Sequence, residues 1–215
     1  MSPTKFVAEV SSNHNQDLIR SLEFVNIAAE CGFDAIKFQL FEVEKLFSFE
    51  ARISNPQLGK RKGWELPPSF ISPLARRAHE LGIEFSCTPF HLEAVALLEP
   101  FVDFYKIASY ELLWPDLAQA CAKTGKPLVI STGMADLSEV ELAVSKICGN
   151  FPDINLTILH AVSSYPAPFA ECNLAAIETL RQKFGFLVGW SDHTVSDGVI
   201  NAAVFGQQAS MVEMH

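Results

Sequence analysis

Eight short runs rich in β-branched and aromatic residues recur along the chain, with segments of helical spacing between them. The runs are Phe6–Ser11, Ala35–Phe41, Glu84–Pro89, Phe104–Ser109, Pro127–Thr132, Leu156–Val162, Leu187–His193 and Ser210–His215. Strands that alternate with helices imply parallel βαβ units. Most of the runs are apolar almost throughout, as strands covered on both faces are. Eight parallel strands can close into a barrel or lie open. The polar residues favour closure: Glu9, Ser11, Lys37, Gln39, Thr88, Lys106, Ser109, Ser131, Thr132, Ser163, Ser191, His193, Glu213 and His215 stand at or just past the C-terminal ends of nearly all the runs. A barrel gathers all eight strand ends around one mouth, whereas an open sheet gathers only those near its switch point. The sequence therefore predicts a (β/α)₈ TIM barrel over residues 1–215, one domain without a linker or composition shift.

The intervening segments carry helix punctuation. Leu18, Leu22, Val25 and Ala29 recur at helical spacing, with Gly32 as a stop. Ser72-Pro73 reads as a cap and first-turn pair before a helix closed by Gly82. Asp136 and Glu139 suggest a capping box. Asn173 reads as the cap of a helix carrying Leu174, Ile177, Leu180 and Phe184, closed by Gly185, and Gly125 stops another segment. The stretch from Glu42 to Pro68 breaks the rhythm, and a long loop after a barrel strand is often functional.

Composition narrows the class. Hydrophobic residues make up 49% and charged ones 19%, enough for a sizeable core. No apolar run reaches the roughly 18 residues of a membrane span, and the N-terminus lacks a signal-peptide stretch. These features give the expectation of a soluble, cytoplasmic protein. The net charge of −9, with no basic run beyond Lys60-Arg61-Lys62, argues against a nucleic-acid partner. The five cysteines form no C-x-x-C pair and read as buried free thiols.

Several side chains could carry chemistry. His193 and His215 end the seventh and eighth runs, and neighbouring strands lie about 4.8 Å apart, so both imidazoles could converge on one divalent ion. Mn, Fe, Co or Zn suits such ligands better than Ca. The alternative is a pair of hydrogen-bonded barrel histidines. Glu213 lies on the same strand face as His215 and could be a ligand, a base or a substrate anchor. Lys37 and Lys106 end largely apolar strands, where a lysine is costly unless paired. They could hold a phosphate or carboxylate, form salt bridges, or, as in aldolases, include a Schiff-base nucleophile. Ser131-Thr132-Gly133 resembles a short phosphate cradle. Asn13-His14-Asn15 could read sugar hydroxyls or form an ordinary loop. No dinucleotide or Walker motif is present.

In order along the chain, AEVSSNHNQ, DAIKFQ, FSCTPF, YKIAS, KPLVISTGM, LHAVSSYPAP, GWSDHT and VEMH resemble the sialic acid synthase family, including its legionaminic and pseudaminic acid relatives. The resemblance implies a barrel that condenses phosphoenolpyruvate and water with an aminosugar aldehyde, such as N-acetylmannosamine, releasing phosphate. It implies a divalent metal, often Mn²⁺, with Mg²⁺ and Co²⁺ as alternatives. Carried over by motif, Lys37, Thr88, Lys106, Ser109, Ser131 and Ser191 would bind phosphoenolpyruvate, with Ser163 at a position that is Asn in some members. His193 and His215 would hold the metal. Glu9, Tyr165 and Glu213 would face the sugar, with Glu213 first and Glu9 second as proton-transfer residues. Gln16 replaces a common Gly. The competing readings are a 3-deoxy-sugar-acid phosphate synthase, a Schiff-base aldolase on Lys106 and a catalytically silent sugar-binding barrel. The last run ends on the second proposed metal ligand, so the sequence is expected to be part of a longer protein. The parts expected beyond it are an eighth helix and the small antifreeze-like C-terminal domain of the family. The portion is expected to have weak or no synthase activity alone, and the full-length form to be a domain-swapped homodimer.

Overall fold

The computed structural model describes residues 3–215. Eight parallel strands close into a barrel in sequence order. They are β1 (Lys5–Ser11), β2 (Ala35–Leu40), β3 (Glu84–Pro89), β4 (Phe104–Ile107), β5 (Leu128–Ser131), β6 (Leu156–Ala161), β7 (Leu187–Asp192) and β8 (Met211–Met214). The ring closes where β8 pairs with β1, Val7 standing opposite Glu213. Each of the eight predicted runs matches one strand, the first strand beginning one residue earlier, at Lys5. The differences lie at the ends: Ser109 already belongs to a 3₁₀ turn after β4, and His193 and His215 each lie one residue past a strand. These residues therefore lead the chain out of the sheet and into the mouth.

Helices cover the outside at Leu18–Glu30, Ile71–Glu80, Leu92–Leu98, Pro115–Lys123, Leu137–Asn150, Ala176–Phe184 and Asp197–Asn201, the last continued by a π-turn over Ala202–Gly206. The capping box at Asp136 and Glu139 forms in both directions, and Gly185 ends its helix at φ 72°. Two predicted caps are displaced. Ser72 and Pro73 lie inside the first turn, because a 3₁₀ turn at Pro68–Phe70 leads directly into the helix. Proline is tolerated there, since the first-turn N–H groups have no intrahelical partner. Asn173 does not cap; its carbonyl accepts the Ala176 N–H in a preceding turn, and the helix begins at Ala176. The Glu42–Pro68 stretch is ordered into helices at Val43–Leu46 and Phe49–Ser54 and a 3₁₀ segment at Pro56–Trp64. Cys87, Cys121 and Cys172 are buried as expected, but Cys31 is exposed where it ends the first helix. Among the described residues no helix is long and apolar enough to cross a membrane.

The barrel interior has two storeys. Val7, Ala35, Phe104, Val129, Leu159 and Met211 form a separate apolar cluster. Strand alternation puts the residue two positions on over the same face. From Val7, Ala35, Phe104, Val129 and Met211 that step leads to Glu9, Lys37, Lys106, Ser131 and Glu213, all buried. Gly189 occupies this interior on β7. A Cβ there would strike the Met211 carbonyl and lie 2.8 Å from Leu159 Cδ2. G189A should therefore destabilise the protein by about 1–3 kcal/mol through overpacking, read as a Tm several degrees lower. G149A, in a helix with open space around it, should hold or raise Tm. Equal melting of G189A and the parent would contradict the close strand approach.

Candidate functional site

At the C-terminal end of the barrel, β1, β2, β4 and β8 place four charged side chains around one cavity of about 60 Å³. Lys37 pairs with Glu9 and lies 3.8 Å from Glu213 Oε2. Lys106 lies 3.4 Å from Glu213 Oε1. The anion between the lysines in this structure is thus Glu213, so the salt-bridged arrangement is present. Lys37 Nζ also donates to Thr88 Oγ1 at 3.2 Å, and Ser191 Oγ donates to Glu213 Oε1 at 3.2 Å. Glu9 Oε1 accepts from the Ser11 N–H at 3.0 Å and from Gln39 Nε2 at 2.7 Å.

Burial alone would suppress all these charges, and the pairing decides which survive. For Glu213, burial favours the neutral acid, but Lys106 and Lys37 outweigh it and hold the carboxyl well below the usual range. For Lys37, burial is overcome by Glu213 and Glu9, and its pKa rises. Lys106 shifts the other way, lowered by burial and by Lys37 despite the pull of Glu213. Of the two ammoniums, Lys106 gives up its proton more readily.

Hydroxyls from four adjacent strand ends, Ser109, Ser131, Ser163 and Ser191, line the same cavity. Ser131 Oγ is buried without a hydrogen-bond partner in the protein. The Gly133 N–H, read from sequence as part of a phosphate cradle, donates instead to Ser109 Oγ at 3.0 Å. A Cβ on Gly133 would run into the Ser163 and Ser109 hydroxyls, so the glycine keeps those two serines together.

His193, Tyr165 and His215 form the opposite wall. The His193 and His215 ring centroids are 5.7 Å apart, and Tyr165 stacks on His193 at 4.1 Å. His193 Nδ1 is 2.6 Å from the Val162 carbonyl. Burial lowers the His193 pKa, with the Val162 carbonyl opposing and the neighbouring His215 and Lys106 adding to it. A neutral ring donating from Nδ1 leaves its lone pair on Nε2, which faces the Tyr165 hydroxyl at 3.0 Å. Burial, then Glu213 and Glu9, push the Tyr165 phenol up to about 12, so it stays protonated and donates. Among the described residues no three His, Cys, Asp or Glu side chains gather as a metal cluster. His193 and His215, with ring centroids 5.7 Å apart, are the pair of imidazoles the mouth brings together.

The residues carried over from the family resemblance (Glu9, Lys37, Thr88, Lys106, Ser109, Ser131, Ser163, Tyr165, Ser191, His193, Glu213 and His215) all line this one cavity. The Asn13-His14-Asn15 loop does not join them. His14 is fully buried, and its Nδ1 accepts the Gln16 N–H at 3.0 Å. Gln16 Nε2 in turn donates to the Lys62 and Glu65 carbonyls at 2.7 and 3.0 Å, fastening the Glu42–Pro68 segment. Sequence reasoning passed over Glu111, whose carboxyl is raised by burial to about 7 and has a buried oxygen without a hydrogen-bond partner. It stands two residues beyond Ser109, in the 3₁₀ turn after β4, and does not line the cavity. A larger hollow, about 800 Å³, opens at the other end of the barrel. Charged groups there are already engaged: Lys5 with Glu84, and Arg181 with the Gln207 and Gln208 carbonyls. Convergent charges and the unpartnered serine mark the smaller cavity as the site.

The model of the NeuB family matches residues 24–215. The chain is 36% identical over 227 residues to an N,N'-diacetyllegionaminic acid synthase of Campylobacter jejuni, covering 100% of this chain and 68% of that protein. It is 33% identical over 228 residues to a pseudaminic acid synthase of Helicobacter pylori, covering 100% and 66%. Among solved structures, the N-acetylneuraminic acid synthetase of Leptospira borgpetersenii, in complex with citrate, superimposes with a TM-score of 0.92 at 32% identity, covering 100% of this chain and 73% of that one. The chain spans 62–68% of the length of four curated relatives that it matches.

Because Lys106 and Lys37 keep Glu213 ionised to lower pH in the folded state than in the unfolded chain, its stabilisation has a defined sign. It is present above the ordinary glutamate value of about 4.3 and is lost as pH falls below that toward the depressed folded value. E213Q removes this contribution. Urea midpoints measured between pH 5 and pH 3 should fall less steeply for E213Q than for the parent; parallel slopes would contradict the pairing with Lys37 and Lys106.

Proposed function

The chain belongs to the NeuB family, and on that premise we propose that its mouth condenses phosphoenolpyruvate and water with the open-chain aldehyde of an N-acetylated aminosugar. The products are a nonulosonic, sialic-type acid and inorganic phosphate. The observation that carries the reading is the pair of buried lysines, Lys37 and Lys106, facing one another across Glu213 and beside the unpartnered Ser131 hydroxyl. A small dianion has what such a site lacks: acceptors for the hydroxyls and negative charge to replace Glu213 between the ammoniums.

In this reading Lys37 and Lys106 hold the phosphate and carboxylate of phosphoenolpyruvate, with Thr88, Ser109, Ser131, Ser163 and Ser191 donating to their oxygens. C3 of phosphoenolpyruvate attacks the aldehyde carbon, water adds at C2, and the C2–O bond to phosphate breaks. Holding both reactants in one mouth removes much of the entropic barrier. Once the incoming anion engages the lysines, Glu213 loses the partners that depress its pKa and can exchange a proton; Glu9, tied to Gln39 and Ser11, is second in line. Tyr165 faces the sugar. His193 and His215 are the residues that would hold a divalent ion, Mn²⁺ first, with Mg²⁺ and Co²⁺ as alternatives. Such an ion, when bound, supplies Lewis-acid polarisation of the aldehyde.

One observation favours a second reading. The depressed Lys106 is the kind of amine a Schiff-base aldolase uses. The two part experimentally. Phosphate release should be followed with phosphoenolpyruvate, Mn²⁺ and a panel of N-acetylated aminosugars. K37M and K106M should each raise the KM for phosphoenolpyruvate about tenfold or more, since a charge-assisted contact contributes about 1.5–3 kcal/mol. Borohydride should trap no lysine adduct. A trapped adduct on Lys106, without phosphate release, would move the protein to the aldolase class. H193A and H215A should each weaken Mn²⁺ binding and abolish metal-dependent turnover; either variant at the parent's rate and Mn²⁺ affinity would remove the metal assignment.

A further inference from the structure

Behind His193, on the outer face of β7, lies a buried carboxylate to which the proposed reaction gives no role. Asp192 is the last residue of β7 and only 4% exposed. Its Oδ1 accepts from Trp190 Nε1 at 2.8 Å and from Thr194 Oγ1 at 2.9 Å, and its Oδ2 lies 3.2 Å from the same hydroxyl. Thr194 Oγ1 then accepts the Ser196 N–H at 3.2 Å, at the cap of the next helix. The anchor of this chain is fixed, because Trp190 is fully buried and packs on His160 at 5.2 Å between ring centroids.

His193 sits between the two clamped residues. Alternation along β7 puts Trp190 and Asp192 on the outer face, while Ser191 and His193 reach the cavity. The Asp192–Thr194 clasp fixes the chain reversal that begins one residue past the strand. From the other side, the Ala167 N–H donates to the His193 carbonyl at 2.8 Å, and His193 Nδ1 is held at Val162. The backbone of His193 is thus gripped on both sides and its ring at one nitrogen. A carboxylate taken out of water and satisfied by neutral donors is retained against a desolvation cost, and here its bonds end on the turn that aims an imidazole.

We propose that Asp192, through Thr194, is a positioning residue that fixes the direction of the His193 imidazole for divalent-ion binding. The inference rests on the metal reading of His193 and His215, and the test separates the two. Mn²⁺ alone is titrated calorimetrically into the metal-free protein and its D192A, T194V, T194S and H193A variants, with thermal midpoints alongside. Groups hydrogen-bonded directly to ligating histidines are worth about 10–100-fold in affinity, and Asp192 and Thr194, acting one step further out through the turn, belong at the low end of that range. D192A and T194V should therefore weaken Mn²⁺ binding about tenfold or more, while T194S, which restores the hydroxyl, stays within about twofold of the parent. A purely structural role would lower the midpoints and leave the affinity unchanged. T194V keeps the Asp192–Trp190 bond and carries the test if D192A does not fold. If H193A weakens Mn²⁺ binding while folded T194V and D192A bind within about twofold of the parent, the positioning role is wrong and the metal reading stands. If H193A itself binds Mn²⁺ like the parent, the metal reading falls and takes the Asp192 role with it.

Discussion

Glu213 lies between two ammoniums inside a protein barrel, and much else in the structure follows from keeping it there. Taking a lone carboxylate or ammonium out of water costs on the order of several kcal/mol even after relaxation. Lys37, Lys106, Glu9 and Glu213 are each no more than 7% exposed. Two positive and two negative groups in contact make the set formally neutral, so no single member can be moved without stranding another. Strand register is thereby constrained. A shift of one residue in β2 would turn Lys37 to the opposite face, toward the apolar layer that packs under the helices, and would leave Glu9 without its partner. The closure of β8 on β1 has the same dependence, since Val7 standing opposite Glu213 fixes the level at which the last strand's carboxylate reaches Lys37.

The two storeys of the interior divide the labour of folding and chemistry. The lower storey, with Phe104, Leu159 and Met211 filling the barrel and Gly189 making room for β8, contributes mainly apolar packing. It seals the floor of the charged layer and keeps the local dielectric low, which strengthens every interaction above it. The upper storey then holds polar groups at strand ends, where sheet pairing fixes backbone positions but side chains still reach the mouth. Gly133 serves this layer rather than the fold as a whole, because the room it leaves is filled by hydroxyls of two other strand ends.

Much of this arrangement was legible in the sequence, for physical reasons. Parallel strands buried on both faces give continuous apolar runs, so all eight were visible, and polar residues at their ends marked the mouth. Strand ends were less visible, because Ser109 and His193 leave the sheet when ladder partners run out, not when composition changes. The capping box at Asp136 could be read because both its members lie within one turn. The expected cap at Ser72 failed because the 3₁₀ turn at Pro68–Phe70 had already led into the helix at Ile71. Lys37 and Lys106 announced themselves as costly, but their partner did not: Glu213 is 176 residues from one and 107 from the other, and only barrel closure brings them within reach. Gly133 looked like an anion cradle because the tripeptide hides where its N–H points. Nor could the sequence distinguish buried His14 from the histidines of the mouth.

The same charge arrangement bears on how the proposed chemistry would be ordered. With Glu213 paired, its carboxyl is held ionised and Lys106 is the weaker of the two ammoniums. A dianion that settles against both lysines adds negative charge beside Glu213 and competes for the same donors, so the carboxyl's preference moves toward the protonated form. Substrate entry would then charge Lys106 more firmly and make Glu213 a better proton acceptor in the same event. In this reading Glu213 would be too weak a base to act before entry, and after entry the phosphoenolpyruvate would already be held beside it. The order in which a base is needed and the order in which it becomes available therefore coincide, and that coupling requires no movement of the barrel, only an exchange of partners around two fixed lysines.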